Sequence, residues 1–239
     1  MCDLNVQYSE ESFHDITTST HFTEFRYVIF TKEITETYDK EKDKPPKFSN
    51  PTQIKTCEYS LLPRNKELTR ITIKLTKTPT PKLFTTIGNT FDIISVLPQS
   101  EKSFVDSCCS LQIDLITFDM TTSFPFKLHV PTLRTAINRG VFFEINLSCL
   151  FGEYNEKQKQ NFVLNATDLI SFTKGKNIIL SSGAMKSNEF KGPNDLIAMG
   201  LMLGLSTSQA YNAVHVNPMK CITRSRRRFP VNSMISVLN

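Results

Sequence analysis

Long hydrophobic runs are missing from this chain. No apolar stretch among its 239 residues reaches the ~18 that a membrane-spanning helix needs, so no membrane partner is expected. Paired metal ligands are missing as well. The four histidines (His14, His21, His129, His215) stand singly, without H-x-H, H-E-x-x-H or H-x-x-x-H spacing. The six cysteines (Cys2, Cys57, Cys108, Cys109, Cys149, Cys221) include no C-x-x-C pair. These patterns predict no metal or other cofactor held by the chain, and reduced, mostly buried thiols as in a cytosolic or nuclear protein. The acidic, polar start MCDLNVQYSEESFHD is not expected to act as a signal or transit peptide. Ser181 and Ser182 lack a G-x-S-x-G elbow, and the glycines match neither a P-loop nor a dinucleotide fingerprint. Asp3, Asp92, Asp114 and Glu144 fall in or near expected strands and could converge at one end of a barrel. Burial against backbone groups or lysines is the simpler expectation for them.

What is present is an ordinary globular composition, 39% hydrophobic and 21% charged, long enough for a sizeable core. The net charge of +5 is unevenly placed. Residues 174–239 carry nine Lys/Arg against two acids, whereas residues 1–173 carry 19 against 21. A one-sided basic field favours polyanions, chiefly nucleic acid.

Short β-branched and aromatic runs predict strands at Met1–Val6, Phe25–Phe30, Arg70–Leu75, Phe91–Leu97, Ile113–Phe118, Val141–Leu147 and Asn177–Leu180, with Ser233–Leu238 a possible eighth. Helical patterns fall between them: a weak one at Ser9–Thr20, then 100–110, 131–139, Asn155–Phe172 and one opening at Pro193. Strands alternating with helices, and apolar at consecutive positions, predict an α/β fold with a parallel sheet, open or closed into a barrel. One domain over residues 1–239 is expected. It carries a flexible insertion at 38–51, where charges and prolines crowd without apolar periodicity, and a basic C-terminal segment at 220–239.

The stretch 174–205, KGKNIILSSGAMKSNEFKGPNDLIAMGLMLGL, reads as a basic turn, a buried strand, a small-residue loop with further lysines, and a helix. Gly200 and Gly204, four apart, suggest close helix packing. Lysines without a nucleophile–base pair point to an anion partner more than to bond breaking.

These residues also carry a resemblance. K-G-K-N-I-I-L-S-S-G-A at 174–184 and K-G-P-N-D-L-I-A-M-G-L-M-L-G-L-S at 191–206 are similar to the thirty-kilodalton protein subunit family of ribonuclease P and ribonuclease MRP. So are D-L-N at 3–5, L-T-R-I-T-I at 68–73, F-D-I-I-S-V-L-P at 91–98 and A-I-N-R-G-V-F-F-E at 136–144, in the family's order. The resemblance implies a TIM-barrel-like fold of about seven or eight strands, related to the polymerase and histidinol phosphatase (PHP) phosphoesterases. It further implies a non-catalytic subunit that supports the RNA subunit in removing the 5′ leader of precursor tRNA, and a part in rRNA processing. Implied partners are the RNA subunit, precursor tRNA and other protein subunits, including a small α/β one; the implied location is the nucleus and nucleolus. Where the phosphoesterases carry a D-L-H-x-H metal motif, the matching stretch here is Asp3-Leu4-Asn5-Val6-Gln7. Amides are weak ligands for a catalytic metal, which disfavours the alternative of an active metal-dependent phosphoesterase.

RNA contact is then expected at Arg139, at Lys174, Lys176, Lys186 and Lys191 near the end of the seventh strand, and at Arg224, Arg226, Arg227 and Arg228. Hydrogen bonds to phosphate are expected from Ser181, Ser182 and the amides around Gly192. Helix-end complementarity is the competing reading for Lys174 and Lys176. A nuclear localisation signal is a compatible one for the arginine run.

Overall fold

A computed structural model of the chain describes residues 2–7, 16, 21, 24, 25, 27–34, 68–77 and 81–227. Seven strands occur in it: β1 (Cys2–Gln7), β2 (Tyr27–Ile34), β3 (Arg70–Leu75), β4 (Ile93–Pro98), β5 (Leu115–Thr117), β6 (Phe142–Asn146) and β7 (Ile178–Ser181). They form one sheet in chain order, every neighbour parallel. Parallel neighbours require crossovers. Among the described residues these are α1 (Pro81–Gly88), α2 (Glu101–Cys109), α3 (Val130–Asn138), α4 (Ser148–Phe151) and α5 (Glu156–Thr173), with α6 (Pro193–Met202), α7 (Thr207–Val214) and α8 (Val216–Arg226) after β7. The sheet closes on itself just past β7. Gly183 N donates to Asn5 O at 2.9 Å and Gln7 N to Ala184 O at 3.1 Å, while Ser182 N reaches the Asp3 carboxylate at 3.2 Å. The result is a seven-stranded, TIM-barrel-like fold.

Strand alternation sorts the core into two sets. Ile71, Ile73, Ile94, Val96, Ile116, Phe143, Ile145, Ile178 and Leu180 point outward beneath the helices. Leu4, Ile29, Ile93, Leu115, Phe142 and Ile179 point inward, and Cys221 and Ile222 of α8 pack on them. The last helix therefore plugs the N-terminal end of the barrel, lying against β1, β4 and β7. β1 breaks the alternation: its register shifts between Asp3 and Val6, so Leu4 belongs to the inner set and Val6 to the outer one. Such a bulge turns Asn5 and Gln7 toward the barrel mouth.

Helix ends follow their local chemistry. Ser100 and Asn155 cap α2 and α5 in reciprocal capping boxes with Ser103 and Gln158. Gly200 is packed as the sequence suggests, since a Cβ there would sit 2.7 Å from Leu180 Cδ1. Gly204 serves differently. Its φ is +100° with open space around it, and Leu205 N bonds Gly200 O at 3.0 Å, which is a left-handed helix stop. The weak helix at 9–20 (apart from Ile16), the insertion at 38–51 and the eighth strand at 233–238 lie outside the described residues.

Candidate nucleic-acid interface

The basic residues expected around β7 divide between opposite poles of the barrel. Lys174 and Lys176 precede the strand and lie at the N-terminal pole; Lys186 and Lys191 follow it and lie at the C-terminal pole. Four strand residues separate the two groups by about 13 Å before any loop is counted. Expecting all four lysines near the strand's end therefore holds only for the second pair.

The N-terminal pole gathers most of the charge. Lys174 ends α5 in a left-handed conformation, φ +55°, and its carbonyl accepts Gln209 Nε2 at 2.9 Å. Asn177 Nδ2 ties this turn to Val141 O at 3.0 Å. Beside it runs a groove of about 680 Å³, bordered by Arg139, His215, Lys220, Arg224 and Arg227 and floored by Phe142 and Met219. Lys174, Lys176, Lys220 and Arg227 are exposed, and none of the four is ion-paired among the described residues. Arg226 is half-buried next to them; Arg228 lies outside the described residues.

Arg139 and Arg224 are committed to the fold. Arg139 donates to the carbonyls of Ser107 (3.3 Å) and Cys108 (2.7 Å), acceptors left open at the C-terminus of α2, and to that of Leu111 just beyond it. Partial burial, and then the neighbouring Arg224 charge, lower its pKa. Arg224 bonds Ile113 O at 2.6 Å and pairs with the fully buried Asp114 carboxylate at 3.0 Å. These guanidiniums fasten α2, α3 and α8 together and leave little of themselves for RNA.

The serine expectation is corrected outright. Ser181 and Ser182 are fully enclosed, and the Ser182 amide and hydroxyl hold Asp3 and Ala184 in the closing seam. A phosphate has no access to them. The Gly192 amide is also taken, by Asp195 Oδ2 at 3.2 Å, and a Cβ on Gly192 would lie 2.9 Å from Glu24 Oε2. Lys191 bonds Asn188 O at 2.8 Å and lies over the Phe151 ring. Glu189 accepts the Met185 amide at 2.9 Å and offsets one of the loop's two lysines. Of its two lysines only Lys186 is exposed.

Sequence reasoning did not single out Lys220 or the parallel stack of Tyr211 on His215, 4.1 Å between ring centroids. The signal was their i, i+4 spacing on a helix that was not foreseen. Tyr211 remains 51% exposed. Partial burial lowers the His215 pKa, so its ring is neutral at physiological pH and can stack.

The four strand acids do not converge. Asp92 takes the Thr69 amide and hydroxyl, at 3.0 and 3.1 Å. Asp114 takes Ile94 N at 3.0 Å and Arg224. Asp3 accepts Asn5 N at 3.1 Å and Ser182 N, and burial pushes its carboxyl up to about 6. Glu144 forms a two-pronged pair with Arg70, both contacts 2.6 Å, in the centre of the barrel. Arginine, hydroxyl and backbone groups, rather than lysines, hold these carboxylates.

That arrangement does not suit a metal of the phosphoesterase type. Asn5 and Gln7 present amides at the mouth, Asn5 Nδ2 lies 3.5 Å from Glu144, and the Arg70 guanidinium occupies the middle, where it would repel a cation. Among the described residues no three His, Cys, Asp or Glu side chains come together.

Comparison with known proteins fits the fold. The model of the family described as RNase P subunit p30 matches residues 1–229. Ribonuclease P protein subunit p30 of Mus musculus is 36% identical over 129 residues, which are 53% of this chain and 47% of that protein. Protein GAMETOPHYTE DEFECTIVE 1 of Arabidopsis thaliana is 36% identical over 145 residues, 60% of this chain and 25% of its own length. A ribonuclease P/MRP protein subunit of Saccharomyces cerevisiae is 26% identical over 228 residues, 90% of this chain and 76% of that protein. The chain thus spans half or less of the mouse and plant relatives. A chain in the cryo-EM structure of archaeal ribonuclease P with mature tRNA shares the fold, with a TM-score of 0.68 at 16% identity over 95% of this chain and 92% of that one. The chain belongs to the RNase P subunit p30 family.

Proposed function

We propose that this chain is an RNA-binding, non-catalytic protein subunit of ribonuclease P, and of ribonuclease MRP. It supports an RNA subunit that removes the 5′ leader of precursor tRNA, and through the second assembly it serves rRNA processing. The observation that carries the reading is the basic N-terminal pole. Lys220 and Arg227 border one groove and Lys174 and Lys176 stand exposed at the same pole, where the strand carboxylates Asp92 and Asp114 are buried and bonded. Such basic side chains neutralise phosphates and release counterions without reading sequence. Tyr211 on His215 adds a flat face for an unpaired base. Lys186 is a second, isolated contact at the other pole.

The names of the relatives support this assignment, as does the commitment of the strand carboxylates to arginine, hydroxyl and backbone partners. The partners are the RNA subunit, precursor tRNA and other protein subunits, a small α/β one included; the location is the nucleus and nucleolus. The chain acts as a single domain over residues 1–239, with an insertion at 38–51 and a basic C-terminal segment at 220–239 whose first turns are part of α8. Capture of the tagged chain from cells followed by RNA sequencing tests the proposal. Enrichment of a ribonuclease P or MRP RNA is expected, and recovery of neither refutes it.

A further inference from the structure

Helix α7 lies across the basic pole. Gln209 in its first turn donates to Lys174 O at 2.9 Å, and Asn217, just past its end, donates to Ile178 O at the start of β7 at 2.7 Å. Between these anchors Tyr211 and His215, one turn apart, stack in parallel, with 4.1 Å between centroids and 8° between planes. His215 covers one face of the tyrosine ring. It also borders the groove that Lys220, Thr223 and Arg227 line. Those three are exposed and fall at i, i+3 and i+7, one face of α8 about 10 Å long. A half-exposed aromatic ring thus leads into a row that begins and ends on a cation.

The two parts of this track suit different chemical groups. Lys220 and Arg227 answer the phosphates of any RNA. Tyr211 does not. It is 51% exposed within a stretch, 196–219, that contains no Lys, Arg, Asp or Glu, so what it offers a ligand is a ring face. In duplex RNA the base faces lie stacked inside the helix, and the surface is phosphate, 2′-hydroxyl and base edge. Only an unpaired base brings a face to an aromatic side chain.

We propose that the basic pole selects single-stranded over duplex RNA: an unpaired base stacks on the outer face of Tyr211, and the adjoining phosphates follow Lys220 and Arg227 along the groove. The proposal rests on the reading of this pole as an RNA interface and names the form of RNA that it takes. Stacking on an aromatic ring tolerates every base, so the selection is for strandedness and not for sequence. Cations alone would give the opposite order, because each phosphate contact releases more counterion from a duplex than from a single strand, about 0.9 against about 0.7. A preference for the single strand therefore needs the ring.

The test is fluorescence anisotropy on the full chain over a series of salt concentrations. The probes are a labelled single-stranded RNA of mixed sequence, about 12 nucleotides long, and the same strand annealed to its complement. The single strand is expected to bind more tightly at each salt concentration. Tyr211→Ala should weaken its binding about 5- to 150-fold, the worth of one base stacked on an aromatic ring, and leave the salt slope as it was, since no cation is lost. Tyr211→Phe keeps the ring and should keep the affinity. Lys220→Ala should instead lower the slope by about 0.7. Tighter binding of the duplex overturns the proposal and leaves the RNA interface standing. So does a Tyr211→Ala variant that binds the single strand as the parent does, or that weakens both RNAs alike. Failure of the parent to bind either RNA overturns the interface itself, and this proposal with it.

Discussion

Removing one partner of the Arg70–Glu144 pair should unfold far more of the protein than removing both. Each side chain is fully buried. The guanidinium makes two contacts of 2.6 Å to the carboxylate, one of 2.9 Å to Leu4 O and one of 3.1 Å to Ser95 Oγ. The pair thus ties β1, β3, β4 and β6 across the barrel. Coulomb attraction and desolvation oppose each other here, and the net value of such a pair against apolar side chains of equal volume is close to zero or negative. A single replacement, Glu144→Leu or Arg70→Met, leaves a buried charge uncompensated and should cost about 3–5 kcal/mol. The double replacement should cost well under the sum, giving a coupling energy of about 3 kcal/mol or more. Urea unfolding followed by circular dichroism, with the slope checked for constancy between variants, measures all four corners of the cycle. Singles below about 1 kcal/mol, or singles that add to the double, would refute the reasoning, because water would then be reaching the pair.

Further perturbations act at other points of the same frame. Asp3 has a raised pKa, near 6 against 3.8, so the folded state holds a proton that the unfolded chain releases; stability should rise as pH falls from 7 toward 4, by about 2–3 kcal/mol. Asp3→Asn should flatten that dependence and stabilise at pH 7, and a stability curve that climbs with pH over the same window would contradict it. Gly183 has φ +62°, and a Cβ there would fall 1.8 Å from Asn146 Oδ1; Gly183→Ala should cost at least about 2 kcal/mol by the close approach and left-handed backbone together, measured by thermal melting. Joint Ala replacement of Lys174, Lys176, Lys220 and Arg227 should reduce the slope of log affinity for RNA against log salt by about 0.7–0.9 for each phosphate left without its cation. Replacing Lys186 and Lys191 should lower the slope by the equivalent of a single phosphate at most, and equal effects at the two poles would sink the assignment of the interface. Arg224→Met strands the buried Asp114 carboxylate and should destabilise by several kcal/mol; a variant with an unaltered melt would show that α8 is not the plug.

The seven strands of the described residues were legible because each gathers β-branched, aromatic or leucine residues, some as continuous apolar runs such as Ile93-Ile94 and Ile178-Ile179-Leu180 and others, such as Arg70–Leu75, by alternation. Helices with strong caps, at Ser100 and Asn155, were equally plain. The helices α1, α4, α7 and α8 were missed, and the last two lack that contrast. The segment V-N-P-M-K-C-I-T-R-S-R buries only Pro218, Cys221, Ile222 and Ser225, a narrow stripe that reads as polar tail until the barrel end it fills is known. The interface was half legible. Charge excess pointed to the last quarter of the chain, which supplies most of the basic pole, but sequence spacing cannot tell the start of a strand from its end in space, so Lys176 and Lys186 looked like neighbours. Nor can it tell an arginine that faces solvent from one, like Arg139, aimed at carbonyls on a helix that ended some thirty residues earlier. The Arg70–Glu144 pair was invisible for the same reason, since its partners are 74 positions apart.

The seam between β1 and β7 also sets a schedule. Ser182 and Asp3 are 179 positions apart, and at ~5–20 residues per second a ribosome needs about 10–35 s to make the stretch between them. Throughout that interval the outer edge of β1 offers unpaired amides and carbonyls to any passing strand. Emergence of the S-S-G-A segment ends the exposure, and only then can α8 stopper a finished cylinder. The protein's vulnerable period is thus its own synthesis, until the segment that follows β7 emerges to close it.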